Sequence, residues 1–220
     1  MKRYLVAILN LLIAFVLVEI MSKILNIHLG RQEIILYVVI ISMILTVIEF
    51  IISSINDNKI KKYKKVIKKG DIAELGALIA ENPKIIEIKN MNGETLLHFA
   101  AEKGQAKIVE LLLDNGAKVD ARAGGDRISD GYTPLDLAVE KGYKEISEIL
   151  LNRGASVMGG NEDLLFKAIE AGNKEIVELL ISKGADINAK DVWDSTPLDC
   201  AKKNHNQDII ELLQEHGAKE

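Results

Sequence analysis

The fold is decided by the stretch Gly131-Tyr132-Thr133-Pro134-Leu135-Asp136-Leu137-Ala138, because similar stretches recur along the chain. In three of the four copies a threonine precedes a short apolar run, and a proline follows that threonine in two of them. Self-similarity with a period of roughly 30 to 40 residues predicts a repeat protein whose stacked units bury one continuous core. The other copies are Gly93–Ala101, Asp163–Ala168 and Ser195–Ala201.

A second apolar run follows each copy, with apolar residues at the i, i+3 and i+4 spacing of an amphipathic helix. We therefore expect two antiparallel helices per repeat, the first capped by threonine and the second ended by a glycine. The second runs are Ile108–Leu113, Ile146–Leu151, Ile176–Ile181 and Ile209–Leu213, and the glycines after them are Gly116, Gly154, Gly184 and Gly217. The turn between the two helices carries Gly104, Gly142 and Gly172, with His205 at the same position in the last copy.

This pattern resembles the ankyrin repeat, whose recurring core is Thr-Pro-Leu-His with a Gly-Ala-Asp-x-Asn-Ala tail. Gly184–Ala189 and Gly116–Ala121 are similar to that tail. The resemblance covers residues 61–220 and implies an all-α fold, an ankyrin-repeat α-solenoid of helix pairs with projecting β-hairpin fingers. A repeat domain over residues 58–220 is expected, with a capping repeat at 61–90 and repeats at 91–123, 129–159, 160–190 and 191–220.

The N-terminal 57 residues contain two long apolar runs, at residues 4–25 and 34–55. Each is about 22 residues, enough for a helix to span the hydrocarbon core of a bilayer. The sequence therefore predicts a transmembrane helical hairpin over residues 1–57. A cleaved secretory signal is the alternative, although Glu19–Lys23 is a poor cleavage site.

Basic residues set the expected orientation of this hairpin. Lys2 and Arg3 precede the first run, and seven lysines follow the second run between Lys59 and Lys69. The positive-inside rule then predicts an integral membrane protein, in the inner membrane of a bacterium, with both termini and the repeats in the cytoplasm. The Ile- and Lys-rich composition is the basis for expecting a bacterial source.

Polar residues within the apolar runs have two interpretations. Ser42, Thr46 and Glu49 form one helical stripe, and Asn10 would lie at the depth of Glu49. The first interpretation is packing between the membrane helices, including homo-oligomer formation. The second is an ion path through Glu49, which two helices alone cannot enclose, so a small pore would need an oligomer.

Charge divides the chain into two parts. Residues 1–69 carry 11 Lys/Arg and 4 Asp/Glu, whereas residues 70–220 carry 17 and 28. The acidic repeats would repel nucleic acid, so nucleic-acid binding is not expected. The basic segment suits anionic lipid headgroups or the solvated face of a cap, and its candidate lipid contacts are Lys59, Lys61, Lys62, Lys64 and Lys65.

The resemblance places candidate partner contacts on the fingers and on the concave face of the first helices. Aromatic and arginine side chains are the usual anchors of protein interfaces. The alternatives are a tolerated loop insertion after Ala121 and a tryptophan that packs on its own neighbours. The candidate contacts are Arg122, Asp126, Arg127, Tyr132, Trp193 and Asp194.

Catalytic and metal-binding patterns are missing from the sequence. The four histidines have no zinc-ligand spacing with a carboxylate or thiol, and Cys200 is the single cysteine. We therefore expect no enzyme activity, no cofactor and no metal site. The leading hypothesis is a membrane-tethered scaffold that binds one protein partner. The alternatives are an inhibitory or immunity partner of another protein, and an oligomeric small pore regulated by the repeats.

Overall fold

The computed structural model describes residues 15, 16, 18, 20, 31–124, 131–158 and 164–219. The chain forms two compact units, Met1–Asn58 and Lys59–Glu220. Ten helices lie in the continuous described ranges. They are α1 (Arg31–Lys69), α2 (Ile72–Glu81), α3 (Leu96–Glu102), α4 (Ala106–Asp114), α5 (Pro134–Glu140), α6 (Lys144–Asn152), α7 (Leu164–Glu170), α8 (Lys174–Ser182), α9 (Pro197–Lys203) and α10 (Gln207–Glu215), with a single 3-10 helix at Pro83–Glu87.

Helices α3 to α10 form four consecutive pairs, which we call the first to fourth repeats. The first helix of each pair packs on the first helices of its neighbours, and second helices pack on second helices. Their apolar faces share one core that also includes Val66 and Ile67 of α1 and Leu75 and Ile79 of α2. Because each repeat buries its stripe only against its neighbours, the stack is what stabilises any one pair.

The caps of the first helices follow the predicted chemistry. The Thr133 hydroxyl accepts the Asp136 N–H at 3.2 Å, and the Asp136 carboxylate accepts the Thr133 N–H at 2.8 Å. Thr196 and Asp199 repeat this reciprocal box at the start of α9. The two bonds satisfy N–H groups that the start of a helix otherwise leaves without a partner. An aspartate carboxylate therefore completes the capping box at the position where the family pattern has histidine.

The turn between the paired helices needs a residue in the left-handed region. Gly104 has φ of 70° there, and His205 has φ of 56° in the fourth repeat. The positive φ of His205 confirms the expectation that it replaces the turn glycine, and its side chain is exposed. A non-glycine residue with positive φ is strained, so the fourth repeat has the least favourable of these turns.

The fingers contain little β-structure. Ala123 and Tyr132 form an antiparallel bridge, the one bridge among the described residues. The backbone bonds are 2.9 Å from Ala123 N to Tyr132 O and 2.8 Å from Tyr132 N to Ala123 O. The fingers at residues 90–94 and 191–195 are hydrogen-bonded turns rather than the predicted β-hairpins.

The predicted localisation as an integral membrane protein is wrong. The predicted topology, with both termini in the cytoplasm, depended on it and is withdrawn. Among the helices of the described ranges, none combines the length and hydropathy that a membrane crossing demands. The first predicted span, residues 4–25, lies mostly outside the described residues. The second, residues 34–55, has Glu49 within it, and a carboxylate at membrane depth is costly.

The second predicted span, residues 34–55, does not form a helix of its own. It lies inside α1, a continuous helix of 39 residues that continues through the lysine-rich segment to Lys69. Residues 61–69, which begin the predicted capping repeat at 61–90, form the last part of this helix. In the first unit, Val18 and Val38 are buried against Ile41, whereas Met43 and Val47 are more than half exposed.

Candidate protein-interaction site

The finger of the fourth repeat, which we call the Trp193 finger, comprises residues 191–195. Oδ1 of Asp191 accepts the backbone N–H groups of Trp193 at 2.8 Å and Ser195 at 2.9 Å. The backbone closes the same turn, since Asp191 N donates to Ser195 O at 3.0 Å and Asp194 N donates to Asp191 O at 3.1 Å. One carboxylate and two backbone bonds therefore fix the backbone that carries the indole.

The first repeat builds the same turn without an aromatic residue. Oδ1 of Asn90 accepts the N–H groups of Asn92 at 3.0 Å and Glu94 at 2.8 Å. Gly93 occupies the left-handed position with φ of 81°, where the fourth repeat has Asp194 at 66°. Asn92 thus corresponds to Trp193. Since the turn forms equally with asparagine, the turn itself does not require the tryptophan.

The apolar tip of the Trp193 finger is exposed. Val192 is 88% exposed and Trp193 is 82% exposed, the two highest values among the large hydrophobic side chains described. Trp193 therefore does not pack on its own neighbours, which was the alternative interpretation. Beside the tip, Lys190 Nζ lies 2.8 Å from Oδ1 of Asp194, and both side chains are more than half exposed. An exposed indole on a fixed turn has the features of an interface anchor.

Tyr132 lies in a different environment from Trp193. Its hydroxyl donates to Oε1 of Glu94 at 2.7 Å, and its ring meets the His98 ring edge-on with centroids 5.7 Å apart. Burial raises the pKa of the Tyr132 phenol, and the hydrogen bond to Glu94 is the second largest cause of this rise. Tyr132 therefore joins the first and second repeats. Arg122 is exposed beside this contact, and Asp126 and Arg127 lie outside the described residues.

His98 completes the link between these two repeats. Its Nδ1 accepts the Thr95 N–H at 3.2 Å, so Nε2 carries the proton and donates to the Tyr132 carbonyl at 3.2 Å. Burial lowers the pKa of His98 from 6.5 to about 4. The neutral ring with one donor and one acceptor is the form that both bonds require.

The lysines predicted to contact lipid do not share one environment. Lys61, Lys62 and Lys65 are exposed, and Lys59 has no described side-chain position. Lys64 turns inward, with its Nζ 3.2 Å from the centre of the Phe99 ring and 3.8 Å from Oε2 of Glu94. Lys64 therefore takes part in the contact between α1 and the first repeat.

The residues predicted to pack membrane helices are only partly described. Asn10 lies outside the described residues, and the side chain of Glu49 has no described position. Ser42 is half-buried on α1. The Thr46 hydroxyl makes bonds within its own helix, to the carbonyls of Met43 at 2.8 Å and Ser42 at 3.1 Å.

Sequence reasoning missed two features of the repeats. Lys167 Nζ lies 2.9 Å from Oδ1 of Asp136, which is 3% exposed, and this ion pair joins the second and third repeats. Val192 was not singled out beside Trp193. The sequence contains a sign of each. Lys167 occupies the repeat position at which the first two repeats have the apolar residues Phe99 and Leu137, and Val192 directly precedes Trp193.

Short helix pairs that repeat along the chain and share one core define a helical-repeat protein. The family model of ankyrin repeats (3 copies) matches residues 65–161 and 159–220, so the chain belongs to the ankyrin-repeat family. A 37-residue segment is 57% identical to part of delta-latroinsectotoxin-Lt1a from Latrodectus tredecimguttatus. That match covers 17% of this chain and only 3% of the toxin's length, so it is a likeness between two short segments.

Proposed function

We propose that this chain is a non-catalytic scaffold that binds one protein partner through the Trp193 finger. Ankyrin repeats suggest a protein–protein interaction scaffold, and fold alone does not identify the partner. The proposal depends on one observation, the 82% exposure of Trp193 on a turn that forms equally well with asparagine.

The rigidity of the finger supports this assignment. An anchor already held in its bound conformation loses little conformational entropy on binding. The Asp191 carboxylate holds the backbone on both sides of Trp193 by bonds of 2.8 and 2.9 Å. The expected partner therefore offers a surface that packs on the indole and on the neighbouring Val192 side chain.

The test is capture of partners from the source cells by the tagged full-length protein and by Trp193→Asn. Asparagine is the residue that the first repeat has at this position, so the finger should keep its turn. The matched control is Met91→Asn, which removes a 53% exposed apolar side chain from the corresponding tip of the first repeat. Unchanged thermal unfolding of both variants would show that they fold.

We expect one near-stoichiometric protein with wild type and Met91→Asn, and its loss with Trp193→Asn. Truncating an interface anchor typically weakens binding by at least about 30-fold. Trp193 is the single tryptophan, so titration with the captured protein should also move its fluorescence to shorter wavelength. Equal capture by Trp193→Asn and wild type would contradict the proposal.

A further inference from the structure

The charges around Trp193 indicate what kind of segment the finger binds. Asp191 and Asp194 flank the Val192–Trp193 tip, and the Asp194 side chain is 78% exposed. The cation that faces Asp194 is Lys190, whose own side chain is 57% exposed, so this ion pair is open to water. An exposed pair of this kind contributes little to stability and can be exchanged at low cost.

Carboxylates of the third and fourth repeats also lie near Cys200 on α9. Glu170 and Asp191 both raise the pKa of the half-buried Cys200 thiol, after the larger effect of its burial, while Lys203 opposes them. Asp199 is exposed on the same helix as Cys200 and keeps its charge, because the Thr196 N–H and hydroxyl hold its pKa below the usual value. Lysines lie near these carboxylates, but residues 70–220 as a whole carry a large excess of acidic groups.

An exposed indole beside an exposed carboxylate is complementary to one common side chain. The planar guanidinium of arginine stacks on an aromatic ring and at the same time donates to a carboxylate, whereas the ammonium of lysine cannot stack. Trp193 supplies the ring, and Asp194, one residue later on the same turn, supplies the carboxylate.

We propose that the Trp193 finger binds an arginine-bearing basic segment of its protein partner, with the guanidinium stacked on Trp193 and paired with Asp194 in place of Lys190. This inference rests on the proposed function and adds to it the chemistry of the partner. Val192 contacts an apolar side chain that neighbours the arginine in the partner segment.

The experiment titrates full-length protein with short amidated peptides and follows the fluorescence of its single tryptophan. The parent peptide alternates arginine with leucine. Three others replace every arginine by lysine, glutamine or glutamate, so that length and apolar content stay constant. We expect affinity in the order arginine, lysine, glutamine, glutamate, with arginine about threefold tighter than lysine.

Variants locate the effect on the finger. Asp194→Asn should weaken the arginine peptide about threefold, and Lys190→Ala should tighten it because Asp194 is released from its ion pair. Lys174→Ala is the matched control, since it removes one exposed lysine from the third repeat and changes the net charge equally. It should leave the affinity within about 1.5-fold of wild type, because Lys174 is exposed at the start of α8 rather than on the finger, and salt screens exposed charges.

Equal affinity for the arginine, lysine and glutamine peptides, or no response of Trp193 to any of them, would overturn the inference. So would equal effects of Lys190→Ala and Lys174→Ala. Either result, together with Trp193-dependent capture of a natural partner, would leave the proposed scaffold function intact. Capture that does not depend on Trp193 would instead contradict the function itself, so the two failures are distinguishable.

Discussion

Lys167 donates to Asp136 across the boundary between the second and third repeats, with Nζ 2.9 Å from Oδ1. Asp136 is 3% exposed, and its other oxygen accepts the Thr133 N–H and hydroxyl. In the repeat before, His98 donates to the Tyr132 carbonyl from the corresponding position. The polar link between neighbouring repeats is therefore kept, but a carboxylate and an ammonium replace a ring nitrogen and a carbonyl.

Lys167→Met should destabilise the repeats, because it leaves the Asp136 carboxylate buried without its ammonium partner. We expect the free energy of unfolding in urea to fall by about 3 kcal/mol. Adding Asp136→Asn to Lys167→Met should recover at least about 1 kcal/mol, since the buried charge is then gone. Asp199→Asn is the exposed counterpart and should cost clearly less than Lys167→Met, because its carboxylate stays in water. A loss below about 1 kcal/mol for Lys167→Met would contradict a structural role for the pair.

Tyr132→Phe removes the hydroxyl that donates to Glu94 while keeping the ring on His98. The bond is 2.7 Å long and its acceptor is a carboxylate, so the expected loss in unfolding free energy is about 1–2 kcal/mol. Tyr143→Phe is the matched control, since Tyr143 is 36% exposed and its ring packs over Gly104. We expect that control within about 0.5 kcal/mol of wild type. Equal losses for the two variants would mean that the Glu94 bond contributes nothing measurable.

Protonation of His98 should weaken the fold in mild acid. Its pKa is lowered from 6.5 to about 4 by burial, so the unfolded chain binds a proton in this pH range and the folded chain does not. Stability is therefore complete above pH 6.5, falls as pH decreases towards 4, and changes no further below it. Linkage gives a loss of about 2 kcal/mol between pH 7.5 and pH 5.

His98→Gln tests this assignment, because glutamine does not titrate. The free energy of unfolding in urea should fall between pH 7.5 and pH 5 in both proteins. The fall should be smaller by about 2 kcal/mol in His98→Gln than in wild type. His205→Gln changes an exposed histidine and should keep the full wild-type difference. If His98→Gln also kept it, the acid sensitivity would have to come from other groups.

Two glycine substitutions should have opposite effects. Gly104→Ala places a Cβ at φ of 70° and 3.0 Å from Cζ of Tyr143, so we expect a loss of about 1–2 kcal/mol in unfolding free energy. Gly76 lies inside α2 with no atom within 4 Å of the added Cβ, so Gly76→Ala should stabilise by about 0.5–1 kcal/mol. Thermal unfolding of both variants checks the sign, and a stabilised Gly104→Ala would contradict the strain assigned to this turn.

Local patterns were sufficient to predict the helix pairs. Threonine caps, apolar stripes and turn glycines act within a few residues, and the positive φ of His205 follows from its place in the repeat. The hydropathy of an apolar run, by contrast, did not predict correctly whether that run crosses a membrane. Residues 34–55 were predicted to cross a membrane, and they form part of a 39-residue helix that does not meet the requirements of a span.

The candidate site was predicted in part. The sequence singled out Trp193 and Tyr132 together, since both are aromatic residues near fingers. The packed repeats place them in different environments, because Tyr132 donates to Glu94 of the neighbouring repeat and Trp193 is 82% exposed. Tyr132 precedes the capping threonine of its repeat, whereas Trp193 lies at the tip of a finger, and the repeat before Tyr132 supplies the Glu94 carboxylate that its hydroxyl reaches.

The sequence by itself determined that this protein is a stack of ankyrin repeats, where each first helix begins and where its chain turns, because those features depend on short-range hydrogen bonds and on side-chain periodicity. The tertiary structure alone decided that Asp136 is buried with Lys167, that Tyr132 binds Glu94, and that Trp193 is exposed. These contacts join residues 31 and 38 positions apart in neighbouring repeats, and no local pattern fixes which side chains the stacking brings together.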